Sequence, residues 1–358
     1  MKKEVLLAEF NKSHTEVLHS QILFFLKKKY HVNLWINKEA DFEDVYNGKV
    51  KIIREDTKIS SLNIGLLYKV VRFIQRNKIK KVVLNTAHGI LIRNLCLLLM
   101  NSKVEVIGVI HQAHKLIKSS TQKIISKKIK KYFVLNDYVK EYMNNLQQNT
   151  YRINSFYPIF FNNKESNNSK VNDKIIITVP GNVIQNRKDY LFLLKSIIKL
   201  DKELKEKFQF VFLGTASKSE SAEVFNLINK NKLEESFVKI YKKRVPESEF
   251  IDVLQYSDYI MPLIHPSSHS YNEYMTTEIS GAFNTAFAFK KPLLMYDSFN
   301  KFEDFKNFAV FYNEKSFESM LEKIAKHDLT KEIKKNYLNY KKFDLDFQTE
   351  NYINFIES

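Results

Sequence analysis

The stretch IIITVPGNVIQNRKDYLFLLKSIIKL, residues 175–200, contains a strand, a turn and a helix in 26 residues. Ile175 to Val179 form a β-branched apolar run of strand length, closed by Pro180 and Gly181. From Tyr190 the apolar residues return at helical spacing. Arg187 and Lys188 stand together at the mouth of that helix, where the macrodipole disfavours positive charge. Two cations in that place point to an anion bound beside them; a solvated turn that happens to carry two basic residues is the alternative. A diphosphate there would gain charge-assisted hydrogen bonds of about 1.5–3 kcal/mol each.

The same unit recurs on both sides. Upstream, EVLLAEF, VNLWIN, KVVLNT, VEVIGVIH and KYFVLN read as strands. Between and after them, TEVLHSQILFFLKKKY, IGLLYKVVRFIQRNKI, ILIRNLCLLLM and YVKEYMNNL read as helices, the first capped by Ser13 or Thr15. The polar segment 162–174, NNKESNNSKVNDK, lacks periodicity and reads as a linker. Beyond it FQFVFLG, SFVKIY, DYIMPLI and PLLMYD continue the strands, and SAEVFNLINKN, ESEFIDVLQYS and SGAFNTAFAFKK the helices. Such alternation predicts an α/β protein of two Rossmann-like, doubly wound parallel-sheet domains facing a cleft. The expected division is a first domain over 1–165 and a second over 174–335. A C-terminal segment, 336–358, is expected to pack back on the first domain.

Composition narrows the partners. Basic residues number 57 against 40 acidic ones, a net charge of +17, which predicts attraction to a nucleotide, a nucleic acid or an anionic membrane surface. Nothing resembles a nucleic-acid recognition module, and the aromatics follow core periodicity, so nucleic acid is not expected. The basic runs FFLKKKYH, QRNKIKK and SKKIKKYF read either as solvated helix ends or as contacts to an anionic bilayer. The single cysteine, Cys96, lies in an apolar run and reads as a core thiol. Without a signal peptide or a long apolar span, the expected place is the cytoplasm, with peripheral contact to the inner face of the cell membrane.

Residues 258–297, DYIMPLIHPSSHSYNEYMTTEISGAFNTAFAFKKPLLMYD, carry a loop dense in hydrogen-bonding groups: His265, Ser267, Ser268, His269, Asn272, Glu273, Thr276, Thr277 and Glu278. Ser280 and Gly281 then open a helix whose free N–H groups suit a phosphate. In the first half, NKSHTE, NTAHGI and GVIHQAHK each place a histidine just past a strand, at His14, His88 and His111. Three equivalent placements point to a polar site in which a histidine orients a substrate or serves as a base near neutral pH. Asp344 and Asp346 imitate a metal-binding Asp-x-Asp but lie far from any such strand, so no metal is expected.

With these motifs the second half, roughly 174–300, resembles the donor domain of GT-B glycosyltransferases, loosely of the family 4 kind. VPGNVIQNRKDYLFLLKSIIKL, FQFVFLGTAS, VPESEFIDVLQYSDYIMPLI and AFAFKKPLLMYD carry the likeness. The resemblance implies that Arg187 and Lys188 grip a donor diphosphate and that Glu278 is the first glutamate of a Glu-x7-Glu pair against the donor sugar. The second glutamate is replaced by Ala286, with Asn284 or Thr285 as its substitute, and Lys290 stands where the family carries glycine. The residues expected to meet the donor are Gly181, Asn182, Arg187, Lys188, Thr277, Ser280, Gly281 and Thr285; His111, Glu278 and His14 are expected at the reaction itself. The implied activity is metal-independent, hexosyltransferase-type transfer from a nucleotide-sugar co-substrate to a glycan or lipid-linked acceptor at the cell surface, such as lipopolysaccharide or capsule, without a resident cofactor. A nucleotide-sugar epimerase on the same scaffold and a non-catalytic glycan- or membrane-binding protein are the alternatives.

Overall fold

A computed structural model describes residues 3–56, 63–146, 150–161, 173–216, 219, 221–233, 237–327 and 329–358. The linker expected over 162–174 lies, except for its last two residues, outside them. The chain forms two compact units. The first contains seven strands: β1 Glu4–Glu9, β2 His31–Asn37, β3 Val50–Glu55, β4 Lys81–Leu84, β5 Glu105–Val109, β6 Lys131–Val134 and β7 Arg152–Ser155. The second contains six: β8 Ile175–Pro180, β9 Phe208–Thr215, β10 Val238–Tyr241, β11 Tyr259–Ile260, β12 Leu293–Tyr296 and β13 Ala309–Tyr312. Every pairing in both sheets is parallel.

Strand order is β3-β2-β1-β4-β5-β6-β7 in the first sheet and β10-β9-β8-β11-β12-β13 in the second. Each is doubly wound. The winding reverses between β1 and β4 in one sheet and between β8 and β11 in the other, which opens a crevice at the carboxyl ends of those strands.

Several elements carry no strong sequence signal. Strands β3, β7 and β13 and the short helices His114–Lys118 and Ser120–Lys128 fall in segments the periodicity leaves unassigned. The expected strand DYIMPLI contributes only Tyr259–Ile260. Pro262 has no N–H for the ladder, and Leu263 turns into the left-handed region at φ 57°. The helix Thr15–Lys27 is not capped by Ser13 or Thr15. His14 precedes it at φ 67° without a side-chain cap, held there by the Asn85 Nδ2 donor on its carbonyl at 2.9 Å.

The division into units departs from chain order in two places. Residues Thr276–Ile279 and Lys342–Ser358 belong to the first unit. In the helix Leu345–Glu357, Tyr352, Ile353, Phe355 and Ile356 join the core formed by Phe24, Phe25, Phe133 and Phe156. The Tyr352 ring stacks on Phe133 at 4.4 Å. The basic runs secure this helix. Lys27 pairs with Asp346 and Lys28 with Glu350, while Lys81 and Lys131 donate to the Ile356 carbonyl at 2.9 and 3.1 Å. Cations thus meet the negative end of its dipole. Asp344 precedes the helix without capping it through its side chain, and Asp346 pairs with Lys27.

Cys96 is fully buried, and burial pushes its thiol up to about 12. Among the described residues no helix is long and apolar enough to cross a membrane.

Candidate functional site

In the second unit the site grows from the switch point between β8 and β11. Gly181 ends β8 at φ 98° and donates its N–H to Leu213 O at 2.8 Å. A Cβ there would approach Lys188 Nζ at 3.2 Å. Gly214 on β9 is tighter still, because its Cβ would meet the Gly181 carbonyl carbon and oxygen at 2.3 Å. Gly214→Ala must push the Gly181 turn away, at an expected cost of about 1–3 kcal/mol and with loss of the lysine's seat. Thermal unfolding with and without nucleotide measures both effects.

Arg187 and Lys188 have separate fates. Arg187 is exposed. Lys188 is buried and returns its amine to the Pro180 carbonyl at the end of β8. Burial, with the neighbouring Arg187 charge, pushes its pKa down to about 7. The helix mouth itself is capped by a carboxylate. Asp189 Oδ1 accepts from the Phe192 N–H at 3.1 Å, ahead of the helix Tyr190–Lys199.

Asp189 also organises the loop after β11. Its Oδ2 accepts from Ser267 Oγ at 2.6 Å and lies 3.3 Å from His265 Nδ1. His265 Nε2 lies 2.8 Å from the Tyr312 hydroxyl. Although burial alone would raise the Asp189 pKa, these bonds hold it well below the usual carboxylate range. The polar density of this loop therefore serves in part to fix Asp189 and His265 inside the fold.

The helix Gly281–Ala288 packs against β8 and β11 and, as the crossover from β11, starts at the same carboxyl edge as Gly181. Ser280 Oγ caps it through Ala282 N at 3.4 Å, and a Cβ on Gly281 would meet open space. Thr285 Oγ1 donates back to Gly281 O at 2.8 Å. Ala286 is fully buried, so a second glutamate would have no water to meet. Asn284 is buried as well, with no partner for Oδ1 among the described residues. Lys290 adopts the left-handed region, φ 51°, which explains a family preference for glycine there. Asn182 is exposed, and its carbonyl lies 3.5 Å from the Tyr190 hydroxyl.

Thr277 and Glu278 belong to the first unit. Thr277 O accepts from Ala113 N at 2.9 Å, Glu278 O accepts from the Tyr138 hydroxyl at 2.9 Å, and Ile279 packs on the first core. The Glu278 carboxylate lies 3.7 Å from His114 Nδ1. The sequence groups Thr277 with Ser280 and Gly281 because they are neighbours in the chain; in the fold, the backbone bond to Ala113 claims it for the first unit.

Here the three strand-end histidines meet. The His14 and His111 rings stack at 3.9 Å. Lys115 Nζ sits 3.3–3.4 Å from both His88 nitrogens. His111 Nε2 lies 2.8 Å from Asn85 O, which can only accept, so Nε2 carries the proton and Nδ1 is the ring's acceptor. Burial, with His14, His88 and Lys115 nearby, holds His111 well below its ordinary pKa. Burial likewise lowers His88 to about 4 and lowers Lys115. For His14 burial acts downward, but the Glu16 bond and charge, with Glu9, outweigh it and raise the pKa.

Beneath the rings runs a polar network that the sequence does not single out. Glu9, fully buried, accepts from Asn85 Nδ2, Thr86 Oγ1 and Asn11 N at 2.5–2.8 Å. Asn85 Oδ1 accepts from Gln21 at 2.6 Å, and Gln21 Oε1 accepts from the Tyr352 hydroxyl at 2.8 Å. The only sequence signal is an acid ending an apolar strand. Tyr352→Phe removes one buried bond and leaves Gln21 Oε1 bare, with an expected loss of about 1–2 kcal/mol in denaturant unfolding. Non-glycine residues at positive φ, His14 and Leu263, mark both switch points.

No protein-family model matches the chain, and no curated protein sequence does. Solved structures match throughout. HepE of Anabaena in complex with UDP and glucose superposes with a TM-score of 0.68 at 11% identity, over 99% of each chain. Sucrose-phosphate synthase of Thermosynechococcus elongatus gives 0.68 at 10%, over 99% of this chain and 98% of that one. A putative UDP-N-acetylglucosamine 2-epimerase of Listeria monocytogenes gives 0.67 at 12%, over 100% and 96%. With its two parallel-sheet α/β units, the chain has the GT-B fold.

Proposed function

We propose that the protein is a glycosyltransferase that moves a sugar from a nucleoside-diphosphate donor to a glycan or lipid-linked acceptor of the cell surface. The observation that carries this reading is Lys188, a buried amine at the carboxyl end of β8 with a backbone carbonyl as its bonded partner. A buried ammonium lacking an anion is costly, and a diphosphate supplies that anion. Exposed Arg187 and the start of helix Gly281–Ala288 would add donors for the remaining phosphate oxygens. In the first unit His111, neutral and holding a free Nδ1 lone pair, suits acceptance of a hydrogen bond or proton from a sugar hydroxyl. His14, raised and stacked on it, suits the stabilisation of negative charge.

Transfer of this kind takes its charge compensation from lysine, arginine and the helix dipole, so activity is expected to persist in a chelator. A rate that falls to background in EDTA and returns with a divalent cation would contradict this. The first experiment is calorimetric titration of nucleoside diphosphates and nucleotide sugars into the wild type and Arg187→Ala/Lys188→Ala. Selective binding lost in the double variant supports the reading; no binding by any member removes it.

The likeness to UDP-N-acetylglucosamine 2-epimerases keeps a second reading alive. Product analysis separates them. A transferase releases nucleoside diphosphate as it consumes acceptor, whereas an epimerase returns an intact nucleotide sugar of altered configuration without one.

A further inference from the structure

The charge excess is not spread along the chain. Between residues 57 and 136 stand sixteen basic residues and one acid, Glu105, so this segment carries nearly all of the +17. Glu105 is itself neutralised by Lys81 and Lys131, at 2.7 and 2.6 Å. The segment supplies the helices Ile64–Arg76, Ile90–Leu98, His114–Lys118 and Ser120–Lys128 of the first unit, and none of them contains an acidic residue. The first of these packs on the second, and the second on the fourth.

Their outward faces are unusual. On the helix Ile64–Arg76 the stripe Ile64, Tyr68, Arg72 faces solvent, with Ile64 69% and Tyr68 61% exposed. The helix Ile90–Leu98 is apolar almost all round. It buries Ile92, Leu95 and Cys96, yet leaves Ile90, Leu97 and Leu98 out at 44%, 50% and 57%. Ile117 adds a further exposed residue at 42%. In a helix that covers a sheet these positions are normally polar. Exposed Lys118, Lys123 and Lys127 stand on the neighbouring helices.

We propose that this face docks the protein on an anionic bilayer, with Ile64, Tyr68, Leu97 and Leu98 entering the headgroup boundary and the surrounding lysines and arginines held at the phosphates. Exposed apolar side chains on helices that carry basic residues and no acid are the combination that interfacial binding requires. Of the carboxylates that border them, Glu55 is paired with Lys69 at 3.0 Å and Glu278 lies 3.7 Å from His114. A nucleic acid would use the charge but gain little from aliphatic side chains, since base stacking needs aromatic or guanidinium planes. The three basic runs taken together are not the determinant, because Lys27, Lys28, Lys81 and Lys131 are occupied with the C-terminal helix. The inference stands apart from the transferase reading and is measured without substrate.

The test is co-sedimentation of the full chain with phosphatidylcholine vesicles and with vesicles of about one-third phosphatidylglycerol. Wild type is expected to pellet with the anionic vesicles only. Leu97→Asn/Leu98→Asn is expected to lower partition at least tenfold with the far-UV circular dichroism and nucleotide response of wild type. Each of Lys123→Glu and Lys127→Glu is expected to lower it about fivefold or more, consistent with roughly 1 kcal/mol per basic residue near the surface. Wild type that ignores anionic vesicles overturns the proposal, as does unaltered binding of the leucine variant. Equal capture by single-stranded RNA that competes with vesicles overturns it in favour of nucleic acid. A dimer that the leucine variant converts to monomer, without vesicle binding by wild type, overturns it in favour of a second copy of the chain.

Discussion

Lys188→Met is expected to weaken nucleoside-diphosphate binding by about a hundredfold and to make the empty protein more stable at neutral pH. Both effects come from one buried amine. Its pKa in the fold, about 7, lies far below the 10.5 of an exposed lysine, because burial, and then Arg187, disfavour the charged form. Below pH 7 both states hold the proton, but the folded chain holds it away from water, so the lysine costs the fold on the order of several kcal/mol. Between pH 7 and 10.5 the unfolded state holds more protons than the native state. Stability therefore rises with pH across that window, and methionine abolishes the slope.

A diphosphate bound beside it would reverse the sign. Its charge favours the ammonium, so binding above pH 7 takes up to one proton, and affinity falls by up to about tenfold per pH unit as the empty site deprotonates. Calorimetry of UDP binding in buffers of different ionisation enthalpy reads the proton directly. The expected loss of affinity corresponds to one charge-assisted bond of about 1.5–3 kcal/mol, largely desolvated. Arg187→Ala, at an exposed position, is expected to cost less. Binding with no proton uptake, and unchanged in Lys188→Met, would leave the amine as structure alone.

His111→Gln is expected to lower turnover about 10²- to 10³-fold while leaving UDP affinity near that of wild type. The residue sits on β5's carboxyl end with Nε2 fixed on the Asn85 carbonyl and Nδ1 aimed by that bond. Because its pKa lies well below the ordinary value of 6.5, the ring stays neutral through the physiological range. A base so prepared is lost only in acid. The acidic limb of the rate profile is therefore expected below 6.5, in contrast to that of an exposed histidine. Glutamine keeps a donor for Asn85 but has no basic nitrogen, so a rescued rate in this variant would demote the ring to a positioning role. Asn85→Ala supplies the companion test: His111 retains the backbone carbonyl, but Glu9, Gln21 and the His14 carbonyl each lose a partner. Stability is then expected to drop by about 3 kcal/mol, with turnover following.

How far the sequence reaches is best judged at particular residues. Gly181, Ser280 and the strand-end positions of His14, His88 and His111 are legible because local chemistry dictates them. A turn after a buried strand needs glycine, a helix start needs a hydroxyl, and parallel strands deliver their next residues to one edge. Glu9 and Asn85 are not legible. Their importance comes from partners 64 to 77 positions away, and no short-range pattern reports such bonds. Strands β3, β7 and β13 escape for a related reason: they stand at the sheet margins, where alternation is weak and neighbouring strands do the specifying.

The amino-acid sequence by itself determines the alternation of strands and helices, hence parallel sheets, and hence the edge at which any ligand binds. Tertiary structure alone decides which polar groups remain available there. It divides the Arg187–Lys188 pair into one exposed cation and one buried amine, and it spends His265 on Asp189 and Tyr312. It also carries Thr277 and Glu278 across to the histidines of the first unit. The physical reason is desolvation. A charge or hydrogen bond has its strength set by the water removed around it, and only packing between residues distant in the chain removes that water.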